Sequence, residues 1–537
     1  MGLVVKGEIM KRKTAFQYTI YIVVLVCFSI FLANCGSDEA APTDPSTTSV
    51  LPDIVFFNTG AASPMVLFEG RAKDNFRVET VLISFNNGAV WHTADIDNTS
   101  PNKLYDVAWS YLASETDIPA VMNSVLLRAI DSDANEVTSS PIDLEKQSGA
   151  AVGNLTTMFS GAMAGQVIAL SSGSGGAYGD GAASLTIPVN DNLTVLGSGY
   201  GNTATSGGLT FPGASSTATI LQSRLSDANI FTVDADLTIS NMRFIGAQNG
   251  IRVSDASDLD HQVSMTDLVF DGQGAWAVQA VDDDEGVSVQ FLSSVVDASS
   301  GTSTTRGGLY LENVQYLVDS SEIYFQTDPG GPEDGTDQGA GIQMEGGLGE
   351  ITNSIFDDNA LAIWANGGSP VITFCEIAGA AFTTYGINLT GGPGEAEIRR
   401  NTIDGNTGYG LRVGGEMDLV LRNNAITSNG LSGVLIDSEL DNPSLINIDM
   451  GKTNDRGNNL LDDNTHPDDI GGFETQVYVT QATQEGPTWI PANWNYWGYP
   501  TAGGVDNAGV DSDENGGGRA TLAIGNFWAS LNSEVGP

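Results

Sequence analysis

Ile398-Arg399-Arg400-Asn401-Thr402-Ile403-Asp404-Gly405-Asn406-Thr407-Gly408-Tyr409-Gly410-Leu411-Arg412-Val413 recurs at a constant offset as Leu421-Arg422-Asn423-Asn424-Ala425-Ile426-Thr427-Ser428-Asn429-Gly430-Leu431-Ser432-Gly433-Val434-Leu435-Ile436. Arg399 aligns with Arg422, Asn401 with Asn424, Ile403 with Ile426, Asn406 with Asn429 and Gly410 with Gly433. Weaker copies precede them. Asn353-Ser354-Ile355 leads into Asp357-Asp358-Asn359, and Asn241 precedes Phe244, Asn249 and Gly250. The unit Gly–apolar–any–apolar begins at Gly250, Gly308, Gly341, Gly386, Gly410 and Gly433. So short a repeat of three- or four-residue strands cannot bury its apolar face alone, whereas stacked copies bury a continuous core. Each copy is therefore one turn of a coil of parallel strands, with Gly, Asn and Asp at the corners and turns about 4.8 Å apart. The Leu spacing of a leucine-rich horseshoe is absent. An irregular array of β-sandwiches is the remaining alternative.

Both ends of such a coil need covering, because an exposed apolar rung is an aggregation edge. Leu155, Met158, Phe159, Ala162 and Met163 form one apolar helix stripe just before the strand Gln166 to Leu170. Leu185-Thr186-Ile187-Pro188 and Leu193 to Gly199 give the first turns. At the far end stand Ile448-Asp449-Met450-Gly451, Gly457-Asn458-Asn459-Leu460 and Ala492-Asn493-Trp494-Asn495-Tyr496-Trp497-Gly498. Over about residues 152–500 this pattern resembles the right-handed parallel β-helix of the pectin-lyase-like superfamily. The closing motifs resemble those of a family of exported bacterial β-helix proteins that has no settled activity to carry over. Residues 501–537 are expected to form a tail or cap.

From residue 53 to 147 short β-rich runs alternate with turns. Val81 to Phe85 runs into Asn86-Asn87-Gly88, a hairpin signal, and then Ala89-Val90-Trp91. Val125 to Ile130 turns at Asp131-Ser132-Asp133-Ala134-Asn135 into Glu136-Val137-Thr138. Strands at this spacing indicate a β-sandwich, and the segment resembles bacterial immunoglobulin-like modules that act as spacers on surface proteins. The fold expected of the whole chain is all-β.

The N-terminus reads as an address. Lys11-Arg12-Lys13 precede an apolar run from Ile20 to Ala33, too short for a comfortable membrane span. Met10 is a candidate start. Leu32-Ala33-Asn34-Cys35 resembles the lipobox of bacterial lipoproteins, although Asn34 stands where Gly, Ala or Ser is usual. The resemblance implies cleavage after residue 34, lipidation of Cys35 and a membrane anchor in the cell envelope, at the outer membrane or cell surface. A plain signal peptide or an uncleaved anchor is the alternative. Residues 35–52, rich in Ser, Thr, Asp, Pro and Ala, form a flexible tether. Cys27 leaves with the signal and Cys35 takes the lipid, so Cys375 has no partner and no intramolecular disulfide is expected.

Composition narrows the function. Lys plus Arg number 21 against 66 Asp plus Glu, a formal net charge of -45 over 537 residues. That excludes nucleic-acid binding through a basic surface. Gly is 65 and Pro 19, without a Gly-X-Y period, so the chain is folded and rich in turns. A monomer is expected.

The superfamily resemblance implies lyases or glycosidases among the catalytic relatives, and lyases need a cationic base. After residue 150 there are ten Arg and one Lys, Lys452. Arg399 and Arg422 should stack on adjacent turns, with Arg252 and Arg412 in matching places on distant turns; such a row meets an acidic sugar or pairs with surface carboxylates. The clustered Asp and Gly-His-Gly motifs of the superfamily's galacturonidases have no match. Asp357-Asp358 and Asp462-Asp463 are carboxylate pairs suited to acid–base hydrolysis, but adjacent pairs arise by chance in so acidic a chain. His92, His261 and His466 lack zinc-ligand spacing. No cofactor is expected other than Ca²⁺, for which the candidate turns are Asp282-Asp283-Asp284-Glu285 and Asp511-Ser512-Asp513-Glu514-Asn515-Gly516. The second lacks the Glu that would close an EF-type loop, and solvated acidic turns are the alternative. Trp489, Trp494, Tyr496, Trp497 and Tyr499 serve as a platform for sugar rings or, more readily, as a plug on the last rung. The reading that results is a surface protein that binds carbohydrate or another partner without turnover. A polysaccharide lyase or hydrolase, and a stalk or adhesin, are the alternatives.

Overall fold

The computed structural model describes residues 46–48, most of 51–464, and the short pieces 476–479, 488–492, 495, 510–512 and 520–523; its longest internal gaps are 200–217 and 325–338. The signal, Cys35 and most of the tether lie outside the described residues.

The expected coil is present. Three ladders of parallel strands climb it. The first runs through Ile187–Val189, Asn229–Val233, Asn249–Ser254, Trp276–Val281, Gly307–Glu312 and Ala340–Glu345, then continues through the starts of the long strands Leu361–Thr373 and Tyr385–Arg399 to Tyr409–Gly414 and Val434–Asp437. Val477–Val479 and Val510–Ser512 extend it, so the coil passes the boundary expected at 500. The second ladder includes Val167–Leu170, Leu193–Leu196 and Met417–Arg422; the third includes Glu322–Tyr324, Ile355–Asp357 and Ala425–Thr427.

The inward rows are dry. Ile251, Val278, Leu309, Ile342, Ile363, Ile387, Leu411 and Val434 lie in register on successive rungs, all fully buried. Each such side chain contributes about 1.5–3 kcal/mol relative to exposure. The leading Gly of the unit is required sterically: a Cβ at Gly410 would sit 2.8 Å from the Gly433 carbonyl oxygen on the next rung.

Two corners carry polar rows turned inward. Between the second and third ladders, one residue in the left-handed region makes the turn: Asp267, Ser293, Ser320, Asn353, Phe374, Arg400, Asn423 and Asn458, with φ between 48° and 58°. From Ser294 onward the residue that follows points into the coil and ties one rung to the next. Asn401 Nδ2 donates to Asn424 Oδ1 at 3.1 Å, Asn424 to Asn459 at 3.0 Å, and Asn459 to Asn495 at 2.9 Å. At the corner after the third ladder, Asn406, Asn429 and Asn464 repeat the device at 2.9 and 2.8 Å. In earlier turns serine does the same work: Ser321 Oγ accepts from the Ser294 amide and donates to the Asp319 carbonyl. The free Cys375 occupies this row, and burial pushes its thiol up to about 12.

The capping helix spans Val152–Ser160. Leu155 and Phe159 enter the coil core, and Phe159 meets Phe231 edge-on at 5.7 Å. The helix stops short of the expected stripe, and Met163 is 66% exposed rather than packed. Gly161 follows directly and ends the helix.

The N-terminal unit is a two-layer antiparallel sandwich. One layer joins Met65–Lys73 to Asp106–Ser114, with Asp95–Ile96 at its edge. The other joins Val78–Ser84, Met122–Asp131, Glu136–Thr138 and Ile142–Ser148. The Asn87-Gly88 turn has positive φ at both residues, but the returning strand is His92–Thr93 rather than Ala89 to Trp91. The strand Ile54–Phe57 opens the segment expected to form the sandwich, and it serves both units. It pairs with Glu145–Ser148 on one side and with Val167–Leu170 on the other. Val55 and Phe57 fill the sandwich core while Ile54 and Phe56 fill the coil core. Strand alternation delivers the two pairs to opposite faces.

Candidate ligand-binding face

In the first ladder both apolar residues of the repeat point inward, so the residue between them points out. Register links Arg252 to Gln279, then to Tyr310, Gln343, Trp364, Asn388 and Arg412. One outward row therefore presents guanidinium, amide and aromatic groups at one-rung spacing, about 4.8 Å.

Flanking groups hold this row in place. The Tyr310 hydroxyl donates to Glu312 Oε2 at 3.0 Å, Gln343 Nε2 to Glu345 Oε1 at 2.9 Å, and Trp364 Nε1 to Thr390 Oγ1 at 3.2 Å. Burial first, then the bond to Glu312, pushes the Tyr310 hydroxyl well above its ordinary value, so it stays a donor. On the other flank Trp276 meets the Tyr310 ring at 5.4 Å, Tyr385 stacks on Tyr409 at 5.8 Å, and the Arg412 guanidinium lies 4.9 Å over Tyr385. The row is recessed in its middle, where Gln343 and Asn388 are each 7% exposed. Asn388 Oδ1 is buried and accepts no hydrogen bond. Leaving such a group unpaired costs about 1–3 kcal/mol.

The arginines divide. Arg252 is exposed near one end of the row, and Arg412 lies toward the other. Arg399 and Arg422 do stack in register, on the second ladder. They do not form a cationic strip. Arg399 pairs with Glu397. Arg422 is 1% exposed, bound to Asp449 and Asp455 at 2.8 Å each. Burial alone would raise the Asp449 carboxyl, but hydrogen bonds from Lys452 and Arg422 pull it below its ordinary value. A guanidinium so enclosed reaches no substrate.

The third ladder's outer face is acidic. Glu322 and Glu376 occupy one outward row, Tyr324 and Asp357 another. The Tyr324 hydroxyl donates to Glu322 Oε2 at 2.6 Å. Burial raises the Glu322 carboxyl. Burial first, then the charges of Asp358 and Glu376, raises Asp357. Asp462 is raised likewise, by burial and then by Asp463.

Of the expected calcium ligands, Asp282 is buried and accepts from the Asp283 and Val287 amides at 2.7 and 2.8 Å, closing its own turn. Asp284, Asp513 and Asn515 lie outside the described residues, as do Trp494, Tyr496 and Trp497; of Asp511 only the backbone is described, in a strand. Among the described residues no group of three His, Cys, Asp or Glu is arranged to hold a metal. His92 packs against Tyr111 and Phe85; His261 is buried 3.4 Å from Asp234.

Of this row, the sequence marks only the ends, Arg252 and Arg412. Tyr310, Gln343 and Asn388 stood in the variable position of quoted units, and that position was the available signal. Gln279 and Trp364 were hidden because Ala277 and Ala362 replace the leading Gly of their units.

Fold and face together define a parallel β-helix protein. A family model described as "Right handed beta helix region" matches residues 285–447 and 385–467. Among solved structures the chain is similar to the crystal structure of the periplasmic alginate epimerase AlgG, at 10% identity and a TM-score of 0.29, over 68% of this chain and 76% of that chain. No curated protein matches the sequence. Among the described residues no helix is long and apolar enough to cross a membrane.

Proposed function

We propose that this protein is exported, anchored by lipid at Cys35 in the cell envelope, and binds polysaccharide along the outward row of the first ladder without turning it over. The observation that carries this reading is the register of Arg252, Gln279, Tyr310, Gln343, Trp364, Asn388 and Arg412. Aromatic faces stack on sugar rings, while amides and guanidinium bond hydroxyls or carboxylates. The unpaired Asn388 oxygen is an acceptor kept for a ligand hydroxyl. The sandwich is read as an immunoglobulin-like spacer that lifts the coil from the membrane. Trp364→Ala should weaken polysaccharide binding about 10- to 100-fold, equivalent to about 1.4–2.8 kcal/mol, with the melting temperature little changed. Equal retention of wild-type and Trp364→Ala protein in polysaccharide affinity gels would sink the reading.

A hydrolase is the second reading, favoured by the raised carboxyl of Asp357 beside Asp358 and Glu376. A carboxyl whose proton affinity is raised beside a second carboxyl is the pairing acid–base hydrolysis uses. Release of new reducing ends from a polysaccharide panel, abolished in Asp357→Asn, would establish it in place of the binding module.

A further inference from the structure

We propose a second, independent binding site, for an uncharged oligosaccharide, in the cleft where the sandwich meets the coil. The cleft encloses about 910 Å³, near the upper end of the usual 300–1,000 Å³ of ligand pockets and enough for a short oligosaccharide. Its two walls belong to different units. Leu67, Glu69 and Arg71 come from the sandwich strand Met65–Lys73, and Thr194 and Leu196 from the second ladder of the coil. The strand Ile54–Phe57 is hydrogen-bonded into both units, so the walls cannot hinge apart without breaking a sheet. A cleft fixed in this way needs little ordering on binding.

The lining chemistry selects the ligand. Leu67 and Leu196 offer apolar surface for the face of a sugar ring. Glu69, Asp95 and Asp97 supply acceptors for hydroxyls and amides. Arg71, the cation of the lining, is engaged by Asp106 at 2.9 Å. A uronate would bring a further negative charge beside three carboxylates, which disfavours it.

Calorimetric titration of the full chain with cellotriose, chitotriose and trigalacturonate tests this. One of the two uncharged probes should bind saturably and trigalacturonate should not. Leu196→Arg, which puts a bulky charge on the coil wall of the cleft, should cut affinity at least about tenfold. Trp364→Ala should leave this binding intact, which separates its failure from that of the coil face. No saturable binding of either uncharged probe, binding of trigalacturonate as tight, or binding unchanged in Leu196→Arg would overturn the proposal.

Discussion

The outward row from Arg252 to Arg412 and the inward corner row from Ser294 to Asn495 are both ladders of polar side chains stacked one rung apart. They differ in where their partners lie. Asn401, Asn424 and Asn459 close every contact within the coil, each accepting from the rung before and donating to the rung after. Asn388 ends in a buried oxygen with no partner. A repeat in the sequence therefore says that a position is stacked. Hydrogen-bond completeness says whether the stack holds the fold or waits for a ligand.

The largest expected effect removes the cation that closes the second ladder. Arg422→Met should destabilise the protein by about 3–5 kcal/mol, because Asp449 is left without its buried partner. Denaturant unfolding checks it, and a loss under about 1 kcal/mol would place Arg422 with the exposed pairs. Asp449 sits below its ordinary value, so its contribution is present at neutral pH and fades as acid titrates it. Arg422→Met should accordingly flatten the acid limb of the stability profile. Next, Asn424→Ala strips the acceptor from both the Asn401 amide and its Nδ2, for about 2–4 kcal/mol. Its affinity for polysaccharide at a temperature where it is folded should be unchanged; a loss of affinity would erase the distinction between the two rows.

Asn388→Leu sharpens the comparison from the other side. Removing an unpaired buried oxygen should leave stability unchanged or raise it by about 1 kcal/mol, while binding falls about tenfold. Clear destabilisation would mean that Asn388 belongs with the structural asparagines. The smallest effect concerns the acidic third face. The folded-state carboxyl of Asp357 is raised, so its favourable contribution is present in acid and lost as pH rises through that raised value. Asp357→Asn should therefore raise the thermal midpoint slightly at pH 7 and leave it unchanged in acid. The opposite ordering of the two pH values would contradict the repulsion described for that face.

Legibility followed the chemistry of each row. The asparagine corners were readable because Asn is uncommon enough for a fixed recurrence to stand out, as at Asn401 and Asn424. The serine half of the same row, Ser294 to Ser354, was not singled out as a row, since its shorter side chain bonds backbone instead of the next side chain. The sequence puts Arg412 and Arg422 in one candidate cationic row. Ladder position separated them: one projects from the middle of a unit, the other closes a strand and turns back onto Asp449.

From the residues alone came the coil, its dry aliphatic rows and the sandwich ahead of it, because alternation and repeat length dictate which side chains must be hidden together. Tertiary structure decided the rest. That Ile54–Phe57 belongs to two units, that a cleft opens beside it, and that Asn388 lacks a partner all depend on distances between segments far apart in the chain, which no local pattern of residues encodes.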